Sequence, residues 1–176
     1  PKKSATILKN ILTKNQGEVT LEFDKKNIYI TLPNFKLVCR LIEGRYPAYN
    51  AVIPVDNPNK LVVDRYDLYN TIKRVSICAS QASNLTKLSL KANQATISAQ
   101  DIDFQASAYE VLNCQYAGVD MEIGFKSGFL LDILSNTNST EINFEMSDPT
   151  RAGIISPVQN EEEHEDILML AMPMMV

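Results

Sequence analysis

One pattern recurs three times along this 176-residue chain and restricts its fold more than any other feature: a short amphipathic helix followed by three strand-length runs parted by turn residues. In the first repeat a helix is predicted near residues 3–13, with strands at 18–23, 27–32 and 35–42. The second repeat opens with a short strand near 61–63. Its helix covers about 65–79, and strands follow at 86–91, 94–99 and a longer run, 104–114. The third opens with a strand at 121–125, continues with a helix near 127–136, and closes with strands at 141–146, 152–157 and 167–172. The spacing, roughly 55 residues, exceeds the usual solenoid periods.

The strand assignments rest on alternation. Val19, Leu21 and Phe23 fall on one face, as do Leu88 with Leu90 and Ile142 with Phe144. Gly17, residues 24–27, Asn93 and residues 147–149 punctuate the runs as turns. The helices are amphipathic. In the first, Ile7, Leu8, Ile11 and Leu12 form the apolar stripe, with Lys2, Thr6, Lys9 and Thr13 opposite. In the second, Leu68, Ile72, Val75 and Ala79 face inward and Asn70, Lys73 and Arg74 outward, with Asp64 as N-cap and Asp67 completing a variant capping box. In the third, Phe129, Leu130, Ile133 and Leu134 are expected to face inward.

A strand, a helix and three strands, repeated, predict an α+β fold: β-α-β-β-β units with antiparallel sheets and helices on one face. One such unit cannot bury both its helix stripe and its sheet face, whereas two paired units can. Three units are present and the first lacks its leading strand. With a start at Pro1 rather than Met, this leads to the expectation of a fragment.

Charge and composition narrow the function classes. Hydrophobic residues make up 45% and charged residues 22%, ordinary for a globular protein, and no apolar run reaches the length of a membrane span or a signal peptide. The net charge of −4 is unevenly spread. The first helix carries Lys2, Lys3 and Lys9, while acids crowd residues 161–166 around His164, the single histidine, in what reads as a solvated loop. Cys39, Cys78 and Cys114 are far apart and lack paired metal-ligand spacing, so neither a zinc site nor a disulfide framework is expected. One histidine among acids does not make a catalytic triad, Glu43-Gly44-Arg45 is no phosphate-binding loop, and residues 161–166 lack the alternation of a calcium loop. The sequons at Asn84 and Asn138 read as chance matches. A non-catalytic binding protein is therefore expected, without metal or cofactor. A β-rich peptide-binding adaptor, using the Met-rich end and having no topological hold on DNA, is the alternative.

Three segments resemble one family. Residues 41–54, Leu-Ile-Glu-Gly-Arg-Tyr-Pro-Ala-Tyr-Asn-Ala-Val-Ile-Pro, are similar to the interdomain signature of bacterial DNA sliding clamps, the beta subunits of DNA polymerase III. Met121-Glu122-Ile123-Gly124-Phe125, with the helix ending Leu131-Asp132-Ile133-Leu134, resembles that family's last repeat. Ala171-Met172-Pro173-Met174-Met175-Val176 resembles its Met-Pro-Met tail. Each motif alone is weak, but their order and spacing over nearly the whole chain make the combination specific.

The resemblance implies the DNA clamp fold, with residues 1–54 as the second half of a middle domain and 55–176 as the C-terminal domain. It implies a non-catalytic, cytoplasmic processivity factor for DNA replication whose subunits close head to tail as a homodimeric ring around duplex DNA, read without sequence preference. Lys2, Lys9, Lys73 and Arg74 would face the DNA. Ile77, Cys78 and Phe104, with the edge run 104–114, would meet the next subunit. Pro47, Val52, Leu170, Met172, Pro173 and Met174 would form the pocket for short apolar peptides of polymerase, clamp loader and repair proteins, a role that flexible methionines suit. Ala51 and the Met175-Val176 ending depart from the family, which often carries Arg at the first position and ends Arg-Leu.

Overall fold

The computed structural model describes residues 1–158 and 166–176, so His164 and most of the acidic stretch lie outside the described residues. The chain forms two units, Pro1–Pro47 and Ala48–Val176.

The first unit consists of helix α1 (Lys2–Leu12) and an antiparallel meander of β1 (Thr20–Phe23), β2 (Asn27–Leu32) and β3 (Phe35–Arg40). Asp24 shapes the first hairpin: its Oδ1 accepts from the backbone N–H of Lys26 at 2.6 Å and of Asn27 at 2.8 Å. Burial is confined to Ile30, Leu32 and Cys39. No side chain of α1 is buried, and every residue of β1 is exposed. The stripe of Ile7, Leu8, Ile11 and Leu12 thus has at most partial cover among the described residues.

The second unit begins with a 3-10 turn at Tyr49–Ala51. It continues through β4 (Asn59–Asp64), α2 (Arg65–Val75), a 3-10 turn at Ser76–Cys78, β5 (Leu85–Lys91), β6 (Gln94–Asp101), β7 (Ala106–Asn113) and β8 (Gln115–Ala117). It finishes with β9 (Met121–Lys126), α3 (Ser127–Ser135), β10 (Glu141–Met146), β11 (Gly153–Pro157) and β12 (Met169–Ala171). Two antiparallel sheets result, ordered β12-β11-β10-β4-β8 and β7-β6-β5-β9. The two repeats exchange their leading strands. β4, which opens the second repeat, pairs with β10 of the third, and β9, which opens the third, pairs with β5 of the second. Neither repeat can complete its sheet alone, which is why the unit contains two.

Alternation along the strands supplies the core. Leu88 and Leu90 of β5, Ile97 of β6, Ile123 and Phe125 of β9, and Ile142 and Phe144 of β10 are buried with Leu68, Ile72 and Val75 of α2 and Leu130 and Leu134 of α3. Phe125 and Phe144 join the sheets at a ring-centroid distance of 5.3 Å. Asp64 caps α2 as expected, its Oδ1 accepting from Asp67 N–H at 2.9 Å.

Two expectations are corrected, and one strand is added. The helix predicted through residue 79 stops at Val75 and tightens into the 3-10 turn, although Ala79 is still buried. The run 104–114 is a single strand as expected, β7, trimmed to Ala106–Asn113; after Cys114 the chain crosses to the other sheet as β8, a short strand not expected from the sequence. Phe129 does not face inward but is 61% exposed, with the Lys126 ammonium 5.5 Å from its ring. The buried stripe of α3 follows Ser127, Leu130 and Leu134, and at about 100° per residue Phe129 projects to the far side of it.

Candidate functional site

The side chains singled out in the sequence fall into three sets, each described within its own unit. The first is basic. Lys2 and Lys9 stand seven residues apart on one face of α1, both exposed. Lys73 is exposed on α2, its ammonium 5.8 Å from the centre of the Tyr69 ring. None of the three forms an ion pair among the described residues. Arg74 differs. Its guanidinium fork grips Glu110 of β7, Nε donating to Oε1 at 2.7 Å and Nη2 to Oε2 at 2.6 Å, and Thr71 Oγ1 donates to the same carboxylate at 3.3 Å. The hydrogen bonds from Arg74 hold the Glu110 carboxyl below its ordinary pKa, and that carboxylate in turn raises the guanidinium's. Arg74 is therefore not a spare cation: it fastens α2 to the outer strand of the sheet. Glu110 was missed in the sequence because nothing local marks a partner 36 residues away.

The second surface is that outer strand. β7 has β6 on one side and, among the described residues, no strand on the other. The 3-10 turn at the end of α2 leaves Ile77 82% exposed and Cys78 partly buried. Phe104, in the turn before β7, is 79% exposed, and Ile102 and Tyr109 are also open. Large apolar side chains thus crowd around an unpaired edge, the combination that invites a strand from another chain. Between β7 and β8, Cys114 is partly buried, and burial pushes its thiol pKa up.

The third surface is the tail. β12 is the edge of the five-stranded sheet, with Leu170 opposite Ile154. The chain then crosses to the edge of the other sheet, where Met174 N–H donates to the Gly124 carbonyl at 2.8 Å. Leu170, Pro173 and Met174 are half-buried and Met172 is exposed. The crossing depends on a glycine. A Cβ on Gly124 would lie 2.7 Å from Leu85 Cδ1, 2.9 Å from Val176 Cγ2 and 3.1 Å from the Met174 carbonyl oxygen. Val52, just after the 3-10 turn, is exposed in the same unit. Pro47 closes the first unit and is also exposed. Gly44, in the signature segment, has a φ of +129°, a backbone conformation that favours glycine.

Among the described residues no cluster of His, Cys, Asp and Glu is placed to hold a metal ion. Among them, too, no helix is long and apolar enough to cross a membrane.

Paired β-α-β-β-β units with exchanged leading strands, helices against antiparallel sheets and an open outer edge make up the DNA clamp fold. The comparisons agree. Residues 1–48 match the model of the DNA polymerase III beta subunit, central domain, and residues 50–174 that of its C-terminal domain. The chain belongs to the DNA polymerase III beta subunit family. It is 28% identical over 174 residues to the beta sliding clamp of Pseudomonas aeruginosa and 27% over 176 to that of Escherichia coli K12. In both cases 99% of this chain covers 46% of the relative, so it spans about half their length. In structure it is similar to a sliding clamp of Bartonella birtlesii bound to griselimycin, with TM-score 0.93 and 30% identity over 100% of this chain and 46% of that one.

Proposed function

We propose that this chain is the C-terminal part of a DNA sliding clamp, a non-catalytic processivity factor that encircles duplex DNA and tethers the replicative polymerase. The observation that carries the reading is the similarity to sliding clamps over the full chain at TM-score 0.93. In this reading residues 1–54 are the second half of the middle domain and 55–176 the C-terminal domain. The partly covered α1 stripe and fully exposed β1 support it, since a half-domain leaves such surfaces for its other half.

Lys2, Lys9 and Lys73 attract phosphates without reading sequence, with Arg74 contributing less because its charge is compensated. The open edge of β7, with Ile77, Cys78 and Phe104, pairs with the next subunit of a head-to-tail homodimer. Pro47, Val52, Leu170, Met172, Pro173 and Met174 receive the apolar peptides of polymerase, clamp loader and repair proteins. The protein works in the cytoplasm. The test is whether the full-length subunit, loaded on circular DNA, is released when the circle is cut, since a ring slides off free ends and an electrostatic binder does not.

A further inference from the structure

A polar cleft of the second unit lies apart from the three sets of side chains described above. It opens between the start of α2 and the end of α3 as two adjoining hollows, of about 630 and 380 Å3, which share Arg65, Tyr66 and Asn138. Arg65 is built into the wall. Its Nε donates to the Ser139 carbonyl at 2.7 Å and its Nη1 to the Leu134 carbonyl at 3.0 Å, so it closes the end of α3. It forms no ion pair among the described residues. Its guanidinium carbon lies 3.9 Å from the centre of the Tyr66 ring, which holds that ring in place while Tyr66 stays 60% exposed.

Residues 65, 66, 69, 70 and 73 share one face of α2, so the order along it is cation, aromatic, aromatic, amide, cation. Arg65 and Lys73 stand about 12 Å apart along the helix axis. Asp64 and Glu141 line the larger hollow, but among the described residues Arg65 is the only charged side chain lining the smaller one. Phosphate is therefore favoured at the smaller hollow.

We propose that this cleft is a binding site for unpaired DNA, in which a base stacks on Tyr66 while Arg65 and Lys73 flank the strand's phosphates. An exposed aromatic platform between cations is the way proteins hold single strands of any sequence. An intact duplex keeps its base faces inside its own stack and cannot use the platform. The inference rests on the reading that α2 lies along the DNA path. It adds to that reading a residue, Tyr66, that tells a frayed or single-stranded stretch from duplex.

The test is fluorescence anisotropy of the full-length subunit with a labelled oligothymidine and with a blunt duplex of the same length, at low salt. Tyr66→Ala is expected to weaken oligothymidine binding about fivefold or more and to leave duplex binding within about twofold. Tyr66→Phe, which keeps the ring, is expected to behave as wild type. Asn138→Asp, which puts a carboxylate on the shared rim, is expected to weaken the single strand as well. Wild-type affinity of Tyr66→Ala for oligothymidine, or an equal loss on both forms, overturns the proposal. Lys73→Ala, run alongside, separates the two ideas. If it weakens duplex binding while Tyr66→Ala changes nothing, the cleft falls and the place of α2 on the DNA path stands; if neither has an effect, both fall.

Discussion

Gly124→Ala tests how the tail is held. Gly124 does not need a left-handed backbone; what it supplies is the absence of a side chain. The added methyl would sit 2.7 Å from Leu85 Cδ1, 2.9 Å from Val176 Cγ2 and 3.1 Å from the Met174 carbonyl oxygen. Leu85 and Val176 are side-chain ends and can rotate away. The Met174 carbonyl is backbone, so relief there requires the tail to step back. That step strains or breaks the 2.8 Å hydrogen bond from Met174 N–H to the Gly124 carbonyl, a loss of about 1 kcal/mol. Overpacking adds roughly 1–3 kcal/mol if the tail stays docked. Undocking is the cheaper response, so the core barely registers the change and the melting temperature falls only by about 2–4 °C. Hydrogen exchange at the Met174 amide is expected to accelerate, and binding of an apolar clamp-binding peptide to weaken about tenfold, or about 1.4 kcal/mol. Unchanged exchange at Met174 together with unchanged peptide affinity would refute the reasoning.

Three further outcomes follow from the same geometry. Leu130→Ala, at a buried position of α3, is expected to cost about 2–5 kcal/mol in urea unfolding, whereas Phe129→Ala on the exposed side stays within about 0.5 kcal/mol. Lys73→Ala is expected to lower the slope of log affinity against log salt for duplex DNA by about 1, and Arg74→Ala by clearly less, because Glu110 already neutralises Arg74; equal slopes would put Arg74 back on the phosphates. The Glu110 carboxyl is depressed in the folded chain, so the stability its pair contributes is present above the ordinary carboxylate pKa and is lost as pH falls through the depressed value. Acidification across that window is expected to loosen β7 first, measured as faster amide exchange there, with Glu110→Gln showing a smaller pH effect.

The repeat, the α+β class and nearly every strand were legible because alternation and helical spacing are local signals. The exchange of β4 and β9 between sheets was not, since nothing in residues 59–64 or 121–126 records which meander they join. The short strand β8 was hidden because residues 113–117 carry no Gly or Pro where the chain changes sheets. Phe129 was placed inward on hydrophobicity, although the helix phase set by Leu130 and Leu134 puts it outside. At the site, the order of basic residues on α2 was visible, but the bond from Arg74 to Glu110 and the cleft at Arg65 and Tyr66 depend on contacts between segments far apart in sequence. The close approach at Gly124 has the same origin: its physical reason lies in a tail some 50 residues further on.

The measurement that bears most directly on the central claim uses the full-length subunit, loaded by its clamp loader onto nicked circular DNA and then challenged with a single linearising cut in moderately high salt. A clamp is expected to stay on the circle, because a closed ring is held by topology rather than by screened charge, and to leave once the ends are free. Equal retention on circle and linear DNA, or loss from both as salt rises, would contradict it and mark ordinary electrostatic binding.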